Sequence, residues 1–443
     1  MNYFSRKIDH DLLQWSNGKR RKPLLLRGAR QIGKTSAIRN LSKHFKYFVE
    51  INFENKDHAA AKTVFSKHSD PFLICSELAL LFNKPIIAGE TLLFFDEIQS
   101  CTDAISSLRY FYEQFPTLHV VAAGSLLEFA LEEIPSFGIG RIDSMFMYPF
   151  SFSEFLNAMG YESWTKLIEE ATPEKPVPDS IHEKIVEMLK YFLIIGGMPE
   201  VVSEFVETRD FLNCQKILNS LLVSFRNDFA KYKKRIPATR VNEVFSSVSQ
   251  QVEGKFVYEH VSQNLSNEQV KKSLELLLMA GLCYQITHSS ADGVPLGAKI
   301  NPKMRRIIPF DTGIYQRILN LNIADILGAN DFDTINKGAV AEIFVGCELK
   351  KNTSCYFDEE LYYWVREKKN AYAQIDFVVQ RGETIVPIEV KSGKQGKMQS
   401  MWVFLKEKNS NYGIRTSLEN FCKYQNINVY PLYAIGNIGT EKK

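Results

Sequence analysis

The chain has 443 residues, of which 45% are hydrophobic and 24% charged. That is ordinary globular composition with room for about three domains, and it excludes a disordered chain, a collagen-like fibre and a coiled-coil rod. With 54 Lys+Arg against 51 Asp+Glu the net charge is only +3, so any case for nucleic acid must rest on local features.

The first ten residues lack the apolar core of a signal peptide. The most apolar stretch, 72–89, is broken by Glu77, Asn83, Lys84 and Pro85, short of the roughly 18 apolar residues of a membrane helix. A cytoplasmic protein without a membrane segment is expected. Residues 23–28 read as a short buried strand ending in glycine, 34–45 as a helix and 48–53 as an alternating strand. Residues 91–96 form an apolar strand ending in a carboxylate, 103–115 a helix with Asp103 as N-cap, and 118–124 another apolar strand. Apolar strands alternating with helices predict an α/β fold with a parallel sheet covered on both faces, here over residues 1–150.

Residues 151–240 are expected to be helical, with a proline-rich loop at 171–179. Residues 241–300 carry a winged-helix pattern: a helix at 241–252, a shorter one at 258–265, and a third capped by Ser266 or Asn267. Val270, Leu274 and Leu277 give the third helix its apolar stripe and Gly281 closes it. A strand at 282–287 and a turn at Asp292-Gly293 would make the wing. Residues 301–443 are again mixed α/β, with a helix at 338–350 and strands at 362–366, 374–380 and 384–390.

Between the first strand and the first helix stands Gly28-Ala29-Arg30-Gln31-Ile32-Gly33-Lys34-Thr35. It matches GxxxxGK[ST] at every fixed position, in the context a phosphate-binding loop requires. Its backbone N–H groups and the helix N-terminus would surround the phosphates of ATP. Lys34 would reach the β- and γ-phosphates, and Thr35 would bind Mg²⁺. Asp96, carried to the end of its strand by four apolar residues, would hold the same Mg²⁺, and Glu97 would polarise the attacking water. Ser125, past the strand 118–124, is placed to sense the γ-phosphate. Arg141 is either an arginine finger, reaching a second copy of the chain or a protein partner, or an in-chain sensor, or a plain surface arginine.

These residues together carry a resemblance. The loop 28–35, the block Asp96-Glu97-Ile98-Gln99, Ala123-Gly124-Ser125, and the run from Gly140-Arg141 to Tyr148-Pro149-Phe150-Ser151-Phe152-Ser153-Glu154-Phe155 resemble one family. It is the bacterial and archaeal AAA-type ATPases related to the signalling STAND ATPases. Gly196-Gly197-Met198-Pro199-Glu200 and Phe310-Asp311-Thr312-Gly313 resemble its carboxy-terminal half, a domain of unknown function. The resemblance covers nearly the whole chain and implies the P-loop fold and ATP binding.

A second constellation lies near the carboxyl end. If Gly382-Glu383 is a two-residue hairpin turn with glycine first, a type II′ turn, opposed residue numbers sum to 765. Asp376 then faces Glu389, and strand alternation puts Lys391 on the same face. Two carboxylates and a lysine on one patch suit a Mg²⁺-dependent phosphodiesterase: Asp376 and Glu389 would hold metal and Lys391 would orient or activate water. The pattern resembles the PD-(D/E)xK nuclease fold, with Ile375 in place of the motif's proline. In that fold a preceding helix often adds a glutamate, and Glu342 fits that position. Cross-strand ion pairing in an inactive binding module is the competing reading.

Arg226, Lys231, Lys233, Lys234, Arg235 and Arg240 form a basic run with Phe229 and Tyr232 interleaved. It either tracks the phosphates of DNA or is a solvated face. Lys271 and Lys272 on the third helix of the winged pattern would add phosphate contacts. The seven cysteines lack CxxC spacing and the eight histidines lack HExxH spacing, which argues against a disulfide framework or a zinc site. The expectation is an Mg²⁺-dependent ATPase coupling nucleotide state to a nuclease-like domain on DNA. A nucleotide-gated switch with a silent docking domain, and an endonuclease with a structural ATP site, are the alternatives.

Overall fold

The apolar runs of the amino-terminal third become the interior of a parallel sheet. The strands are β1 (Leu24–Arg27), β2 (Tyr47–Asn52), β3 (Thr91–Asp96), β4 (His119–Ala123) and β5 (Asp143–Phe146), in the order β2-β3-β4-β1-β5. Every residue of β3 and β4 is buried, as continuous apolar runs covered on both faces must be. The computed structural model describes residues 3–125, 127–133, 140–232, 236–321, 337–366, 372–391 and 398–438. It divides into two units, Met1–Tyr148 with Ser354–Asp358, and Pro149–Thr353 with Glu359–Lys443.

In the first unit, Phe95 packs edge-on against Phe65 at 5.3 Å and against Phe111 at 6.1 Å, joining the sheet to the helices Ala59–Lys67 and Thr102–Gln114. The latter starts after Cys101, so Asp103 lies in the first turn instead of capping it; its charge still favours the helix N-terminus. β5 escapes the hydrophobic pattern because Asp143, Ser144 and Phe146 on this edge strand are only half-buried. Its Phe146 N–H donates to the Cys355 carbonyl at 2.7 Å. Among the described residues no helix is long and apolar enough to cross a membrane; the stretch that begins at Phe72 is the helix Pro71–Phe82, ended by Asn83.

The second unit combines helices, among them Asp179–Ile195, Pro199–Thr208 and Phe211–Asp228, with an eight-stranded sheet. Its strands are β6 (Cys283–Ser289), β7 (Ile300–Pro309), β8 (Leu361–Val365), β9 (Gln374–Arg381), β10 (Thr384–Val390), β11 (Gly413–Ser417), β12 (Cys422–Tyr424) and β13 (Ile427–Pro431). They lie in the order β12-β13-β11-β10-β9-β8-β6-β7. The strand read from sequence at 282–287 as part of a wing is β6, which pairs antiparallel with β7 and in parallel with β8. Strands on either side of residue 300 share one sheet. The expected helix at 258–265 is a single 3-10 turn, Tyr258–His260; the Ser262 hydroxyl accepts the Asn264 N–H at 3.3 Å, a local turn that competes with helix. Helix Asn267–Met279 is capped by Ser266 in a reciprocal box with Gln269.

Candidate functional site

Three buried leucines carry β1 to Arg27, and the chain then turns sharply. Gly28 takes φ +132°, and a Cβ there would lie 2.2 Å from the Met147 carbonyl oxygen. Gly33 takes φ 96° and caps the helix Lys34–Leu41. Ala29 and Ile32 are buried and anchor the loop, Arg30 is half-buried and Gln31 exposed. Lys34 is buried, and its Nζ donates to the carbonyls of Gly28 at 2.8 Å and Ala29 at 2.7 Å. Burial pulls its pKa from 10.5 down to about 8, against the attraction of Glu97 and Asp96.

Asp96 ends β3 level with Asn52 of β2. Its Oδ2 accepts from Thr35 Oγ1 at 3.1 Å and from Asn52 Nδ2 at 3.3 Å, and its Oδ1 from the Glu97 N–H at 3.1 Å. Burial, then the neighbouring Glu97, raise its pKa to about 6. Glu97 sits at φ 49° and accepts from Gln99 Nε2 at 2.6 Å, Ser125 Oγ at 3.1 Å and the Ser125 N–H at 3.3 Å. Burial opposes its charge, but these hydrogen bonds and Lys34 outweigh it and hold the carboxyl below its ordinary range. The structure thus brings together the loop, Lys34, Thr35, Asp96, Glu97 and Ser125 at the carboxyl ends of β1, β3 and β4, where open α/β sheets hold ligands. A hydroxyl and a carboxylate sharing one hydrogen bond fit Mg²⁺, which takes oxygen ligands.

Arg141 does not join them. Asp143 is level with Leu24, four residues short of Gly28, about 13 Å at 3.3 Å per residue, and Arg141 lies two residues further back. Its guanidinium pairs with Glu113 at the amino ends of the strands. So placed, Arg141 stands apart from the phosphate loop of its own chain.

The hairpin near the carboxyl end has the register of a two-residue turn. Thr384 pairs with Arg381 and Ile388 with Phe377, each summing to 765, and Gly382 takes φ 55°. Glu389 is buried and its Oε1 meets Lys391 Nζ at 2.7 Å. Burial raises the pKa of Glu389 against Lys391. Asp376 Oδ2 accepts the Val390 N–H at 2.8 Å. Glu342 is spent differently: it forms an ion pair with Arg306 of β7. Among the described residues no group of three or more His, Cys, Asp or Glu side chains is placed to hold a metal ion. Glu342, Asp376 and Glu389 as placed do not fit the divalent ion expected of them, because a guanidinium already engages the helix carboxylate.

The basic features are also partly spent. Lys271 and Lys272 form i,i+4 pairs with Glu275 at 3.8 Å and Glu268 at 2.7 Å on their own helix. Phe229 is a core residue, edge-on to Phe245 at 5.6 Å. Lys233, Lys234 and Arg235, and the side chains of Lys231 and Tyr232, lie outside the described residues.

Residues 20–156 match the family model of an AAA domain. With the loop and the parallel sheet, this segment is an AAA-type P-loop domain. Residues 186–325 and 337–435 match two domains of unknown function, DUF8612 and DUF4143. No curated protein matches the sequence. Among solved structures the chain is similar to a Walker-type ATPase of Pyrococcus abyssi, at 15% identity over 72% of this chain and 96% of that one, with TM-score 0.45. It is similar to a signal transduction ATPase with numerous domains (STAND) and a tetratricopeptide repeat sensor from Pyrococcus horikoshii, at 12% identity over 79% and 46% of the two chains, TM-score 0.28. It is also similar to the Aeropyrum pernix Orc1 protein in complex with DNA, at 13% identity over 72% and 92%, TM-score 0.28.

Sequence reasoning missed four residues. Asn52 steadies Asp96 and Gln99 steadies Glu97; the signals were a polar residue ending an alternating strand and the glutamine two past the acid pair. Buried Arg6 donates to the Ile32 carbonyl inside the loop at 3.2 Å and to the Tyr148 carbonyl at 2.8 Å, and Arg306 holds Glu342; nothing local marks either arginine. The Gly196-Gly197 and Asp311 blocks form a structural joint. Asp311 accepts N–H groups of Gly197 at 2.6 Å and Ile314 at 3.0 Å, and a Cβ at Gly196 would lie 2.2 Å from its Oδ1.

Proposed function

We propose that the chain is an Mg²⁺-dependent ATPase whose nucleotide state controls its carboxy-terminal unit. One observation carries the reading: Lys34, Thr35, Asp96, Glu97 and Ser125 converge from three strand ends around a glycine-shaped loop. Phosphate oxygens would take the loop N–H groups and draw Lys34 Nζ off the Gly28 and Ala29 carbonyls. Glu97, kept ionised by Gln99 and Ser125, would accept a hydrogen bond from the attacking water and fix its line of approach. Ser125 would stand between that carboxylate and the γ-phosphate. Thr35 and Asp96 would hold Mg²⁺, which when bound neutralises charge on the phosphates.

The helix Lys337–Lys351, antiparallel β8, β9 and β10, helix Gln399–Lys408 and then β11 parallel to β10 support a nuclease-like fold for this part of the chain. The helices Ala238–Gln250 and Asn267–Met279, followed by β6 and β7, support a winged-helix-like element joined to it. Fold alone does not bring cleavage, and the Arg306–Glu342 pair favours a module that binds without cutting. DNA is the ligand proposed for it, through the basic residues of 226–240.

ATP binding, phosphate release and strand breaks should be followed together in Mg²⁺ or Mn²⁺ with mixed DNA. Lys34→Ala should weaken ATP binding at least tenfold, and Glu97→Gln should bind normally while turnover falls about a hundredfold or more. Unchanged affinity and turnover in Lys34→Ala overturns the ATPase reading. Strand breaks that vanish in Lys391→Ala overturn the non-cutting one.

A further inference from the structure

Where β9 begins and β10 ends three acidic side chains, Glu342, Asp376 and Glu389, share a region with three cations, Arg306, Lys391 and Arg415. Arg306 issues from β7, where it pairs with Ile286 of β6. Its side chain is 1% exposed, and its guanidinium sits 5.7 Å from the centre of the Tyr363 ring. Nη2 engages Glu342 and the Val252 carbonyl, the latter at 3.4 Å, while Nε and Nη1 have no hydrogen-bond partner among the described residues. On the acidic side, Glu389 Oε2 is buried without a partner among the described residues, and Asp376 Oδ2 is taken by the Val390 N–H.

We propose that Arg306 is the resident cation of this cluster, supplying beside Glu342 and Asp376 the positive charge that a divalent metal would otherwise bring. A buried guanidinium cannot give up its charge, since an arginine stays protonated at any working pH. A divalent ion added beside it would meet like charge in a low-dielectric site, with N–H donors where it needs oxygen lone pairs. Removing Arg306 alone leaves Glu342 buried and uncompensated, which is costly, and leaves carboxylates that a hard cation would satisfy. The inference rests on the nuclease-like reading of this sheet for where a metal would sit.

The test uses the full chain without nucleotide, in an Asp96→Asn background so that the phosphate loop does not contribute. Thermal unfolding is compared in EDTA and in Mn²⁺, with Mn²⁺ binding measured by calorimetry. The parent should show no Mn²⁺ shift. Arg306→Gln should unfold at lower temperature in EDTA and recover by roughly 5 °C or more in Mn²⁺ at a hundredfold excess over its Kd. The double variant Arg306→Gln/Glu342→Gln, which removes the lone buried charge, should fold and ignore Mn²⁺. Mn²⁺ binding by the parent that disappears with Asp376→Asn overturns the proposal even if Arg306→Gln does not fold. So does an Arg306→Gln protein that folds but shows no Mn²⁺ response. Strand breaks made by the parent in Mn²⁺ would remove both this proposal and the non-cutting reading.

Discussion

Asp96→Asn should make the nucleotide-free protein more stable while abolishing ATP turnover. The residue is 6% exposed, and burial with Glu97 nearby raises its pKa from 3.8 to about 6. The folded state therefore holds an extra proton between those values. Rising pH removes stability across that window, and the cost of the buried charge is fully present above it. At about 1.36 kcal/mol per pH unit this amounts to roughly 3 kcal/mol at pH 7.5 and about half of that at pH 5. Asparagine keeps an acceptor for the Glu97 N–H and an amide that can donate to Thr35 Oγ1, but that amide would face the Asn52 Nδ2 donor, so a net gain of about 1–2 kcal/mol remains at pH 7.5. Denaturant unfolding in EDTA at the two pH values, following the transition that ATP shifts in the wild type, reads it directly. A variant less stable than wild type at pH 7.5, or a gain of equal size at both pH values, would refute the reasoning.

Arg6→Ala should lower ATP affinity about 5- to 30-fold, the equivalent of 1–2 kcal/mol, because it frees the Ile32 carbonyl inside the loop. Lysine should not rescue it, since one ammonium cannot reproduce the two-carbonyl fork; unchanged affinity by fluorescent-nucleotide titration counts against the clamp. Ser266→Ala should cost about 0.5–2 kcal/mol in denaturant unfolding by opening the capping box with Gln269, with ATP affinity untouched. Arg141→Ala should leave the turnover of dilute protein at the wild-type rate, and a loss that persists on dilution would show that the residue acts within its own chain.

Local chemistry explains how much was readable beforehand. β3 was found at its observed limits because a run of apolar residues ending in Asp96 has no other economical placement in an α/β sheet. The hairpin register followed from two turn residues, since a period of two leaves no freedom once the turn is set. Ser266 was one of two N-caps considered, and the capping box with Gln269 decides for it. What failed was long-range. β5 is short and half polar, so its pairing with β1 leaves no pattern. Arg305 and Arg306 are consecutive, and only tertiary packing says that Arg306 is the fully buried one. That β6, expected in a wing, also pairs with another strand leaves no mark in the sequence, because a hairpin looks the same in either case.

The contacts of Lys34 with the carbonyls of its own loop bear on the end of the catalytic cycle. Those two acceptors compete with any incoming anion for the same ammonium. A triphosphate has enough further contacts to win that competition, whereas inorganic phosphate has few. As product departs, the lysine has a ready place to return to, so release leaves behind no exposed, unsatisfied cation. In the proposed ATPase these two carbonyls would therefore disfavour retention of free inorganic phosphate at Lys34.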